Sequence, residues 1–222
     1  NWDVTKFLGV DENTKTFYYE SAEESPIRRS IYKIDAKGVK TKLSTEEGMN
    51  KAVFSDNFAY FVNTYSNANT PAKTKNELRV LQDNAALKSK LKEYVFAKKE
   101  FMKVHTASDY EFNAWIVKPA DFDPSKKYPV MMTQYSGPNS QQVLDQYGFD
   151  WEQYLASNGI IVVCVDGRGT GARGEAFRKC TYLRMGELES RDQVEAAQAL
   201  GKLPYIDKDR IAIWGWSFGG YN

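Results

Sequence analysis

Arg210-Ile211-Ala212-Ile213-Trp214-Gly215-Trp216-Ser217-Phe218-Gly219-Gly220 is the stretch whose reading decides the fold. Its first part, Arg210 to Trp214, is a short apolar run that reads as a buried strand. The G-x-S-x-G that follows has the pattern of a nucleophile elbow. In such a turn the serine takes a strained backbone conformation that only small flanking residues permit, and its Oγ projects above a parallel sheet. Gly220 leaves room for the next helix to pack close to the strand. The same five-residue pattern also describes an ordinary glycine turn, so its weight comes from what precedes it.

Upstream the rhythm is strand, helix, strand, helix, strand. Pro129–Tyr135 reads as a strand leading into Ser136-Gly137-Pro138. Trp151, Tyr154 and Leu155 stand at i, i+3 and i+4 and predict a helix with an apolar face, ended by Gly159. Ile160–Val165 is apolar at every position, as a strand covered on both faces requires. Glu187–Leu200 reads as a helix with acidic residues in its first turn, with Val194, Ala197 and Leu200 facing inward. This order calls for right-handed crossovers and a doubly wound sheet. Gly167 to Gly174 resembles a phosphate loop but lacks both the G-K-[ST] ending and the G-x-G-x-x-G frame. A structural role fits better, with Asp166 and Arg168 pairing and satisfying backbone groups where the chain leaves the sheet.

The chain changes character near residue 85. Before it lie short segments rich in aromatic and β-branched residues: Val4–Val10, Thr16–Glu20, Ser30–Asp35, Val39–Leu43, Lys51–Phe54, Ala59–Asn63 and Glu77–Gln82. Asp11-Glu12-Asn13, Asp35-Ala36-Lys37-Gly38 and Asp56-Asn57 supply turn chemistry between them. The spacing predicts antiparallel sheet, the first four strands forming one blade and the rest most of a second; a sandwich would space its strands similarly. Residues 84–100 read as a polar, Lys-rich connector with a short helical turn. Phe101–His105 and Phe112–Lys118 follow as two strands around a turn at Ser108-Asp109.

The 222 residues carry 30 basic and 29 acidic side chains, a net charge of +1, which gives no electrostatic reason to expect nucleic acid or an anionic membrane as partner. A hydrophobic share of 42% and an aromatic share of 14% mark a globular chain. No apolar run approaches the ~20 residues that span a bilayer, so no membrane span is expected. Of the two cysteines, Cys164 falls inside an apolar strand and Cys180 in a long loop; neither stands at a metal-ligand spacing. No metal or organic cofactor is expected.

On these motifs the chain resembles the dipeptidyl peptidase IV family, a branch of the prolyl oligopeptidase group of serine peptidases, in its bacterial type. The resemblance rests on Lys126-Lys127-Tyr128-Pro129, Gln134-Tyr135-Ser136-Gly137-Pro138, Tyr154-Leu155-Ala156-Ser157 and Asp166-Gly167-Arg168-Gly169-Thr170-Gly171. Asp192-Gln193-Val194-Glu195-Ala196-Ala197 and Arg210 to Tyr221 complete it, and Leu78 to Asn84 resembles the passage between the family's two domains. It implies a β plus α/β fold: residues 1–85 as the last two blades of a β-propeller and residues 86–222 as the N-terminal half of an α/β-hydrolase domain.

The same resemblance makes Ser217 the nucleophile, the backbone N–H of Phe218 one oxyanion donor and the Tyr135 hydroxyl the other. It implies release of N-terminal dipeptides of the Xaa-Pro or Xaa-Ala type from peptides with a free N-terminus, through an acyl-enzyme. It further implies a periplasmic or secreted location and a homodimeric parent. A tripeptidyl or acylaminoacyl peptidase of the same group, or a non-catalytic interaction protein on the same fold, are the alternatives. In α/β-hydrolase order the triad acid and base follow the serine, so the 222 residues are expected to be a fragment, inactive by itself. His105, the sole histidine, reads as a strand residue rather than a base, and Asp166 and Asp192 are poor candidates for the triad acid.

Overall fold

The computed structural model describes residues 2–76 and 78–222. They divide into two compact units: Asn1–Tyr94 with Leu144–Gly148 and Ala172–Gly174, and Val95–Val143 with Phe149–Gly171 and Glu175–Asn222.

The first unit opens with β1 (Val4–Asp11), β2 (Thr16–Ser21), β3 (Ser30–Ile34) and β4 (Lys40–Lys42), which pair in sequence order as one antiparallel sheet. These are the four segments expected to form one blade. Asp35 makes the last turn by accepting the N–H groups of Lys37 and Val39, each at 2.9 Å, the self-capping that suits aspartate to turns. A second four-stranded sheet follows, with β5 (Met49–Phe54), β6 (Phe61–Asn67), β7 (Thr70–Lys75) and β8 (Val80–Gln82) again in order.

β7 was absent from the sequence reading, because Lys73, Thr74, Lys75 and Pro71 look like loop. The structure places Pro71 inside the register shift between β6 and β7, where the ladder does not need the N–H that proline lacks. β6 begins two residues later than expected, since Ala59 and Tyr60 belong to a turn closed by Ser55 and Asn57. Glu77, the start of the expected Glu77–Gln82 strand, lies outside the described residues. The two sheets share an aromatic seam in which the Tyr18 ring lies 4.7 Å from both Phe54 and Phe58. Asn50, fully buried, donates to the carbonyls of Arg29 at 3.0 Å and Glu46 at 2.9 Å and accepts from Asn63 at 2.8 Å. Helix α1 (Ala85–Leu91), with no buried residue, is the helical turn of the Lys-rich connector.

The second unit holds β9 (Lys99–His105), β10 (Glu111–Val117), β11 (Tyr128–Gln134), α2 (Trp151–Ser157), β12 (Ile161–Asp166), α3 (Glu175–Lys179), α4 (Glu187–Leu200), β13 (Ile206–Gly215) and α5 (Phe218–Tyr221). Its sheet runs in the order β13-β11-β12-β10-β9. β11 is parallel to both neighbours, while β10 joins β12 and β9 antiparallel. The chain therefore steps from β11 to β12 and then crosses back over β11 to β13. The reversal brings the loops after β11 and β13 to the same end of adjacent strands, where open α/β sheets place their sites. Every residue of β12 is buried, and Phe112, Val163 and Ile161 pack there with Ala196 and Leu200 of α4.

Two expectations about faces are corrected. Tyr154 is 70% exposed, and α2 instead buries Ala156 and Glu152. Glu152 is tolerated inside because Lys99 lies 3.3 Å away and itself sits 4.6 Å over the Trp115 ring. Val194 points out, and the inner face of α4 carries Glu189, Asp192, Gln193, Ala196 and Leu200. Among the described residues β13 has one neighbour, β11, and Ile213 and Trp214 are half exposed. Among the described residues, no helix is long and apolar enough to cross a membrane.

Candidate active site

Gln134 at the end of β11 lies opposite Gly215 at the end of β13. Tyr135 follows the first directly and Ser217 comes two residues after the second, so both leave the sheet at one edge. Ser217 stands between β13 and α5 with φ 54° and ψ −118°, a conformation that costs a non-glycine residue about 1–3 kcal/mol. Its carbonyl accepts from the N–H of Gly220 at 2.9 Å and of Tyr221 at 3.0 Å, which closes the short helix behind it. The serine is exposed.

The glycines are needed by close approach. A Cβ on Gly215 would stand 2.8 Å from the Gly219 Cα. One on Gly219 would stand 3.1 Å from the Tyr135 Cα, against backbone that has nowhere to go. The elbow thus rests directly on the end of β11. Gln134 adds a side-chain tie, its Nε2 donating to the Gly219 carbonyl at 2.5 Å. The half-buried Tyr135 ring lies 6.3 Å from that of Phe218, centroid to centroid. The three residues singled out by the sequence, Ser217, Tyr135 and Phe218, therefore meet at one end of two paired strands.

Helix α4 supports the loops around them. Gln193 donates from Nε2 to the Ser136 hydroxyl at 3.2 Å and to the Val165 carbonyl at 3.0 Å. Ser136 needs such support, being buried at φ 57°. Asp192 accepts from the Arg168 backbone N–H at 2.7 Å and from its Nε at 2.9 Å. The Asp192 hydrogen bond outweighs burial and raises the pKa of the Arg168 guanidinium, which also lies 4.3 Å over the Tyr110 ring. The expected role of Asp166 and Arg168 as mutual partners is thus corrected: Arg168 goes to Asp192, and Asp166 accepts the N–H groups of Gln142 and Val143 at 3.1 and 2.8 Å. Gln134, Asp192 and Gln193 were not picked out as site residues from sequence. Their partners lie 85, 24 and 57 positions away, and no local pattern announces them.

His105 is 75% exposed by its side chain, with Nε2 3.6 Å from Glu111 on the facing strand of the hairpin. β9 lies four strand spacings from β13, about 19 Å at ~4.8 Å each, so this histidine is no base for Ser217. Cys164 and Cys180 are both free thiols; burial raises the Cys164 thiol well above the usual range. Among the described residues, no group of three or more His, Cys, Asp and Glu could hold a metal.

A strained serine set between a parallel strand and a short helix, in a chain that begins with two propeller-like sheets, defines the class: a β-propeller region followed in sequence by an α/β-hydrolase region. Comparison with known proteins agrees. Residues 1–72 match the dipeptidyl peptidase IV N-terminal region, and residues 147–222 match the prolyl oligopeptidase family. The crystal structure of Porphyromonas gingivalis dipeptidyl peptidase 4 superposes with a TM-score of 0.97 at 62% identity, covering all of this chain and 32% of that one. A probable dipeptidyl peptidase 4 of Emericella nidulans is 35% identical over 99% of this chain and 30% of its own length. A probable dipeptidyl-aminopeptidase B of Botryotinia fuckeliana is 36% identical over the whole chain and 25% of its own length. The chain belongs to the dipeptidyl peptidase IV branch of the prolyl oligopeptidase family, and it spans about 30% of the length of the curated relatives it matches.

Proposed function

We propose that the protein carrying this chain is a serine exopeptidase that releases N-terminal dipeptides, of the Xaa-Pro or Xaa-Ala type, from peptides with a free N-terminus. The observation that carries the reading is the backbone of Ser217, at φ 54° and ψ −118° beyond the strand paired with β11. Such strain persists where the surrounding structure over-determines it, as at a site that must present one hydroxyl.

In the first step Ser217 Oγ bonds to the scissile carbonyl carbon, and a general base takes its proton. The Tyr135 hydroxyl and the Phe218 N–H stabilise the resulting oxyanion. Collapse breaks the C–N bond, the base returns its proton to the leaving amine, and the dipeptide remains as a Ser217 ester. Water then adds to the ester carbon and releases the dipeptide with a regenerated serine. A donor such as Tyr135 contributes about 3 kcal/mol to this stabilisation.

Residues 1–85 are read as the last two propeller blades and 86–222 as the N-terminal half of the hydrolase domain. Likeness to dipeptidyl peptidases favours a periplasmic or secreted homodimer; sedimentation and cell fractionation check those two points. The reaction is tested with Gly-Pro-p-nitroanilide on the full-length protein. Turnover that falls by several orders of magnitude in Ser217→Ala is expected. A full-length protein that cleaves tripeptidyl or acylated substrates, and no dipeptidyl one, would reassign the specificity.

A further inference from the structure

Gln134 is 6% exposed, closes β11 and immediately precedes Tyr135. Its amide nitrogen bonds the carbonyl of Gly219 at 2.5 Å, two residues beyond Ser217. At its amide oxygen stands the Asn222 side-chain nitrogen, 3.5 Å away, and Asn222 in turn accepts from the Ser190 hydroxyl of α4 at 2.7 Å. Gly219 and Ser217 share one short turn, because the Ser217 carbonyl bonds the next two N–H groups after Gly219. Any shift of Gly219 along β11 therefore carries the serine with it. The β11–β13 ladder sets the register as far as Gln134 and Gly215. Beyond the ladder, the amide bond ties the turn that carries Ser217 to the end of β11.

From this geometry we infer that Gln134 is a positioning residue, which gauges the Ser217 hydroxyl against the Tyr135 phenol by tying the elbow to the strand that carries the tyrosine. The inference rests on the peptidase reading above. Gln134 touches no substrate and acts through Gly219. Its leverage comes from the narrow range in which an oxyanion donor works, about 2.7–3.1 Å from the developing charge, and a misplacement of about 1 Å costs ~100-fold.

The test is a double-mutant cycle in the full-length protein with Gly-Pro-p-nitroanilide: wild type, Gln134→Met, Tyr135→Phe and the pair, with Ser217→Ala as control. Gln134→Met keeps length and loses the donor; Gln134→Glu, nearly isosteric, is carried beside it in case the first fails to fold. The expected result is a kcat lowered about 10- to 100-fold with KM within about twofold. The same substitution in the Tyr135→Phe background should cost under about threefold, since there is no phenol left to align. Equal losses in both backgrounds, or an unchanged kcat, would overturn the positioning role while leaving the peptidase standing. Activity that survives Ser217→Ala would instead overturn the peptidase reading, and this inference with it.

Discussion

Asp192 grips Arg168 at both ends, accepting the backbone N–H at 2.7 Å and the guanidinium Nε at 2.9 Å. The pair is almost wholly buried, with side-chain exposures of 1% and 9%, and it fixes the loop after β12 to α4. Removing one partner of a buried ion pair leaves the other charge uncompensated. Asp192→Ala should therefore destabilise the protein by about 3–5 kcal/mol, whereas the double change Asp192→Leu with Arg168→Met should cost less than the single one. Urea midpoints of the three proteins check the ordering.

The strain at Ser217 makes a second prediction. Alanine keeps the Cβ that makes φ 54° unfavourable, and glycine removes it. Ser217→Gly should be more stable than Ser217→Ala by about 0.5–2 kcal/mol, although glycine at unstrained positions is the worse residue. Both variants should be without turnover. Chemical denaturation of the two, side by side, reads the difference; an alanine variant as stable as the glycine one would mean the turn is relaxed.

A third concerns pH. Glu195 on α4 accepts from the Ser108 hydroxyl at 2.6 Å and from Arg191 Nε at 2.9 Å. These bonds, that of Ser108 foremost, hold its carboxyl well below the usual glutamate range, at about 2. The carboxylate's contribution is thus complete above pH ~4.5 and is lost as pH falls through about 2. Glu195→Gln should melt below wild type at pH 7, and the gap should close on acidification to pH 2. A gap that stays constant over that range would show that the charge is not what ties the β9–β10 turn to α4.

Much of this was legible because the signals are local. The run Ile160–Val165 is apolar at each position, and α4 is bounded by acidic residues in its first turn and by Gly201 after it. The elbow declares itself through glycines whose Cβ atoms would meet backbone. What stayed hidden depends on partners distant in sequence. The inner face of α4 was assigned to Val194 because an apolar residue is the default occupant of a core. Asp192 and Gln193 take that face because Arg168, Ser136 and the Val165 carbonyl offer them hydrogen bonds there. β7 hid for the opposite reason: it is a polar strand between two neighbours, held by its ladder rather than by apolar alternation. Glu152 escaped notice because Lys99, which neutralises it, lies on β9, 53 positions earlier in the chain.

The central claim, that the Ser217 hydroxyl is the nucleophile, is tested most directly by treating the full-length protein with a fluorophosphonate and mapping the adduct by mass spectrometry. A single stoichiometric adduct on the peptide containing Ser217, absent from Ser217→Ala, is the predicted result. Folded wild-type protein that carries no adduct at Ser217, or carries it on another serine while cleaving Gly-Pro-p-nitroanilide, would contradict the account.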